Sequence, residues 1–156
     1  MTYQVSWVIE DHVLYIHYSG NISLDDIRQS TRDVVDLIEA IYEQHPENTA
    51  IGVVDLTEAN LNQILWTTTL SIVVKQVTDV IDPRITRLKT GFAVLITGSE
   101  RARTVISLLL RLFSQPLTTV ASLDEALTVI EAMYPKLGER LSHYRENHIS
   151  AETSQQ

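Results

Sequence analysis

The chain opens on an alternating pattern. Tyr3, Val5, Trp7 and Ile9 stand on one side of it, and Gln4, Ser6, Val8 and Glu10 on the other. A period of two predicts a half-buried strand over residues 3–10. Asp11-His12 offers a tight turn. Val13-Leu14-Tyr15-Ile16-His17-Tyr18 is a second run rich in β-formers. Together the two runs predict an antiparallel hairpin, closed off by Ser19-Gly20-Asn21.

The period then changes. Leu24, Ile27, Val34, Val35, Ile38, Ile41 and Tyr42 share one face of a helix, and Asp25, Arg28, Arg32, Asp36, Glu39 and Glu43 the other. Ser23 with Asp26 supplies the start, because a serine oxygen can accept an orphan backbone N–H. Pro46-Glu47-Asn48 ends it. Ala50-Ile51-Gly52-Val53-Val54 is apolar without alternation, which predicts a central strand covered on both faces. It ends at Asp55-Leu56-Thr57.

A second helix is predicted from about residue 61 to 81. Its apolar set is broad: Ile64, Leu65, Trp66, Leu70, Ile72, Val73, Val74, Val77 and Val80. Asp82-Pro83 breaks the chain, and residues 84–89 form a basic loop, expected to be solvated. Phe92-Ala93-Val94-Leu95-Ile96 is another buried-type strand, ended by Thr97-Gly98-Ser99. A third helix over about 100–114 is apolar almost all round from Val105 to Phe113. Leu117 to Ala121 is a last short strand. Ser122 and Glu125 form a capping box, in which the glutamate reaches back to the cap N–H. Ala126, Leu127, Ile130, Met133 and Tyr134 make the inner stripe of the closing helix.

The order is therefore ββαβαβαβα. Strands alternating with helices predict a mostly parallel sheet with helices on both faces, and the opening hairpin makes the sheet mixed. Residues 1–134 read as a single α/β domain. Residues 135–156 read as a short helical extension followed by a disordered tail from Ser150 onward.

Composition removes whole classes of function. There is no cysteine among 156 residues, so disulfides and thiolate chemistry are excluded. Met1 to Trp7 carries no basic n-region and no long apolar run, so no signal peptide is expected. No stretch approaches the roughly 18 apolar residues of a membrane helix. These features predict a cytoplasmic chain without membrane insertion. The net charge of −8 argues against a nucleic-acid partner. The charge is uneven: residues 21–50 hold seven acids and two bases, and residues 84–111 six bases and one acid. That pattern reads either as two solvated faces or as complementary surfaces, between protomers or toward a partner.

Candidate chemistry sits at the strand ends, where ligands of open α/β sheets bind. Asp55, Thr57, Gly98 and Ser99 lie there, with Arg101 close by. Backbone N–H groups at the helix start after Gly98 could accept an anion, or Thr57 and Ser99 could simply be helix caps. The five histidines show no His-x-x-x-His spacing, so no metal site or other cofactor is expected. No glycine-x-serine-x-glycine elbow exists. The paired acids Asp25-Asp26 and Asp124-Glu125 fall at helix starts, where the dipole explains them.

The order resembles the STAS domain, the fold of bacterial anti-sigma-factor antagonists, over roughly residues 5–134. Three segments carry the resemblance: Leu14 to Asp26, Val53-Val54-Asp55-Leu56-Thr57, and Ala121 to Leu127. That family switches through a serine, preceded by aspartate and followed closely by glycine, at the start of its second helix. This chain has Leu61-Asn62-Gln63-Ile64-Leu65 there, and its nearest hydroxyls are Thr57 and Thr67 to Thr69. The resemblance implies a non-enzymatic regulatory or protein-interaction module without the phosphoswitch, docking a protein partner or a second copy as a homodimer. Leu65, Trp66, Leu70, Val73 and Val74 are the candidate interface. The alternative is a carrier or sensor of a small apolar, lipid-like ligand held between sheet and helices. A hydrolase or phosphate-transfer enzyme using Asp55 and Ser99 is the third reading.

Overall fold

The computed structural model describes residues 2–66, 69–88, 90–112 and 116–153. Met1, Thr67, Thr68, Lys89, residues 113–115 and the last three residues lie outside them.

The opening pattern produces the hairpin. Strands β1 (Tyr3–Ile9) and β2 (Val13–Asn21) pair antiparallel, with a bulge between Trp7 and Ile9. Asp11 turns the chain at φ 62°, a region that aspartate tolerates. Three parallel pairings follow, through β3 (Ala50–Asn60), β4 (Thr90–Ile96) and β5 (Leu117–Val120). The sheet order is β1-β2-β3-β4-β5, so β3 is central.

Helices cover both faces. On one lie α1 (Leu24–Gln44), α2 (Asn62–Leu65), α3 (Leu70–Val80) and α4 (Glu100–Leu112). On the other lie α5 (Leu123–Met133) and α6 (Gly138–Thr153). The result is a mixed α/β domain with a mostly parallel five-strand sheet and, among the described residues, six α-helices. Alternation along the strands feeds two cores. Leu14, Ile16 and Leu95 pack under α1, α3 and α4, and Val13, Val53, Val94 and Ile96 pack under α5 and α6.

Local chemistry fixes the helix starts. Ser23 Oγ accepts the Asp26 N–H, and the Asp26 carboxylate accepts the Ser23 N–H in return. Ser122 Oγ accepts the Glu125 N–H at 3.2 Å. Glu125 reaches back one residue further than its spacing predicts, to the Ala121 N–H.

Four expectations change. The predicted helix over 61–81 is not continuous: it divides into α2, capped at Trp66, and α3, which starts after Thr69, while β3, expected to end at Thr57, runs on to Asn60. Its last residues pair with Ser19, Gly20 and Asn21, whose strand is prolonged by Gly20 at φ 72°. Asn60 Nδ2 donates to Asn21 Oδ1 and Asn60 O accepts the Ile22 N–H. Those bonds satisfy the strand, and helix begins only at Asn62. Met133, expected inside, is 56% exposed. Helix α6 extends through residues 150–153, which the sequence places in the tail.

Arg84 is the fourth. It is not simply solvated but bonds Asp36 and Glu39 on α1, each at 2.8 Å, together with its own Asp82. Part of the uneven charge along the sequence is thus complementarity inside the chain.

Candidate ligand cavity and the strand-end cluster

The polar cluster at the end of β3 is built by register. His17 lies opposite Asp55, and Tyr15 opposite Val53. Tyr15 OH donates to Asp55 Oδ2 at 2.5 Å. The Thr57 N–H and hydroxyl both donate to Asp55 Oδ1, at 2.9 and 2.7 Å. His17 Nδ1 stands 3.6 Å from the same carboxylate, and its Nε2 lies 3.2 Å from Glu58. Burial pushes the Asp55 carboxyl up, but the Tyr15 and Thr57 hydrogen bonds outweigh it and hold the group below the usual range. Asp55 is 6% exposed with its oxygens occupied by donors. Such a carboxylate ties β2 to β3, and the Thr57 hydroxyl is held in the same knot.

The other strand-end positions do not join this knot. Ser99 Oγ accepts the Ala102 N–H and caps α4, and Thr97 Oγ1 accepts the Ser99 N–H. Gly98 is exposed beside them. Arg101 turns toward α2. Its Nε donates to Leu65 O, and its guanidinium lies 4.4 Å from the centre of the Trp66 ring. Hydrogen bonds therefore divide the five positions among a structural knot, a helix cap and a clasp on α2. No group of three or more acidic or histidine side chains able to hold a metal occurs among the described residues.

The candidate interface also divides. Leu65 and Val73 are buried, at 5% and 0% exposure. Leu70 and Val74 are half-buried, and Trp66 is 65% exposed. Ile72 joins Trp66 on the outside. Val73, Val77 and Val80 follow helical spacing and mark the inner face of α3, a signal already present in the sequence.

The layer beneath α1, α3 and α4 is not sealed. Val53 and Val94 on the opposite face are fully buried, as central-strand residues should be. On the face toward α1, α3 and α4, Leu95 and Leu14 are buried, but Val54, the residue after Val53 on the same strand, is partly accessible, and so are Gly52 and Ala93. Two cavities account for this. One, of about 180 Å³, lies between Val54 and Leu56 on the sheet and Ile64, Val77 and Val105 on the helices. The second, of about 160 Å³, lies further along the sheet, against Leu14, Gly52, Val34 and Leu117.

Both are apolar, and the few polar groups at the first cavity are already engaged. Tyr18 OH is hydrogen-bonded to Ser30, and Thr31 Oγ1 donates to Ile27 O. An apolar space of this size without free polar partners suits apolar guests, as an engineered void of about 150 Å³ takes benzene or xenon. Composition gives the number of Val, Ile and Leu residues but not whether they close over one another, so the cavity was legible only as a surplus.

Among the described residues, no helix is long and apolar enough to cross a membrane. Comparison with family models, with curated proteins and with solved structures finds no match to this chain.

Proposed function

We propose that this chain is a non-enzymatic, STAS-like regulatory module that holds a small apolar molecule between its sheet and its α1, α3 and α4 layer. The observation that carries the reading is the difference between the two faces of β3. Val53 is sealed by α5, while Val54 borders an apolar cavity under the opposite helices. A core serving stability alone gains by closing such a gap, because each missing contact forfeits dispersion energy.

The test is a titration of the full chain with p-xylene, followed by methyl chemical shifts. Saturable shifts at Val54, Leu56 and Val105 support the reading. Shifts absent up to the solubility of the ligand would remove it. Native mass spectrometry of freshly purified protein adds the natural occupant.

A second surface supports the interaction side of the module. Trp66 and Ile72 project from the α2–α3 edge, and a shallow groove between Leu70, Val74 and Leu108 runs beside them. In this reading the edge docks a partner protein or a second copy. Light scattering with the wild type and Trp66→Asp tests the second copy: a dimer lost in the variant supports it, and a monomer throughout excludes self-association.

A further inference from the structure

The two cavities share three walls: Val54 from β3, Ile106 from α4 and Ile85 from the 3-10 turn Pro83–Arg87. We propose that Ile85 is the specificity-determining residue of the apolar site: it divides one potential chamber into two and so sets the size of the molecule accepted. The inference rests on the ligand-binding reading above.

Volumes set the scale. Each compartment, at about 180 and 160 Å³, is close to the roughly 150 Å³ that accepts a single aromatic ring. Ligand pockets of ordinary size run from about 300 to 1,000 Å³. Neither compartment reaches that range alone, and the two joined reach its lower end. With the septum in place the site fits one-ring or short branched hydrocarbons. Without it, two-ring molecules or a medium-length alkyl chain fit.

The three walls differ in how they are held. Val54 belongs to the central strand and cannot move without breaking the sheet. Ile106 sits in the middle of a 13-residue helix. Ile85 sits on a five-residue turn with no buried residue of its own. The turn is fixed to α1 by charge: Arg84 bonds Asp36 and Glu39, while the Asp82 side chain accepts the Arg84 N–H at 2.9 Å. The Asp82 N–H donates to Thr31 Oγ1 at 3.3 Å, on the same helix that walls the first cavity. Ile85 is therefore the septum residue whose truncation disturbs the fewest packed neighbours.

The experiment uses the full chain and two probes, p-xylene and the two-ring N-phenyl-1-naphthylamine. The wild type is expected to bind p-xylene and to bind the naphthylamine at least tenfold more weakly. Ile85→Ala is expected to tighten the naphthylamine at least tenfold and to change p-xylene less than threefold. Should Ile85→Ala fail to fold, Ile85→Val carries the same test with a threefold gain, and Ile85→Phe is expected to weaken p-xylene. A wild type that binds p-xylene, with naphthylamine affinity unchanged across the variants, overturns the septum and leaves the ligand reading standing. Equal binding of both probes by the wild type also overturns it. Binding of neither probe by any variant overturns both.

Discussion

Val53 and Val54 are consecutive residues of the central strand, and they meet different interiors. Val53 is fully buried against the α5 side, and Val54 borders an unfilled apolar space on the other. Enlarging them should have opposite effects. Val53→Leu is expected to destabilise by about 1–3 kcal/mol through overpacking. Val54→Leu fills existing space and is expected to stabilise by about 0.5–2 kcal/mol. Urea denaturation of the two variants checks the contrast.

Tyr15 supplies one of the donors that hold the buried Asp55. Tyr15→Phe should cost about 1–3 kcal/mol at neutral pH, because it strips a partner from a buried carboxylate. The pH dependence follows from the sign of the shift. Asp55 is held below its ordinary value, so its contribution is present above the unfolded value near 3.9 and lost as pH falls through the folded one. The variant should therefore lose less stability than the wild type between pH 5 and pH 2, measured by urea unfolding at each pH.

Tyr3 tests the alkaline side. Burial first, and then the hydrogen bond to Asp33, push its hydroxyl up to about 12. The neutral form is favoured in the fold. Its contribution is complete below the unfolded value near 10 and is lost as pH rises through about 12. Tyr3→Phe should flatten the fall in melting temperature between pH 9 and pH 11, by circular dichroism.

Arg84 holds the turn that carries Ile85. Arg84→Met should speed amide exchange at Ile85, whose N–H is bonded to Asp82 O, by about tenfold or more, while Val53 exchanges as before. Raising the salt concentration on the wild type should move exchange in the same direction, because a partly exposed ion network is screened. Hydrogen exchange followed by NMR reads both.

Much of the fold was legible because local rules and tertiary packing agree. The alternation of Leu14 and Ile16 against Val13 and Tyr15 maps onto the two cores, and Ser23 and Ser122 cap the helices that their spacing announces. The apolar run around Val53 predicts a strand covered on both faces, and β3 is that strand. What escaped depends on contacts distant in sequence. The extension of β3 to Asn60 is stabilised by Ser19 to Asn21, and Arg84 finds Asp36 and Glu39 nearly fifty residues away. The single helix expected over 61–81 divides between Trp66 and Thr69, past the end of β3. Within the candidate interface, Leu65 and Val73 are buried in the core, a position that helical spacing with Val77 and Val80 indicates for Val73. For the strand-end positions, only geometry shows that Thr57 serves Asp55 and Ser99 serves its own helix.

The central claim is that an apolar space lies between Val54 and the helices above it and takes up an apolar guest. A crystal of the full chain held under xenon pressure tests it most directly. The account predicts xenon between Val54, Leu56 and Val105, with the α5 side of the sheet empty of it. A crystal without xenon there, and with Val54 closed over by α3 and α4, would contradict it.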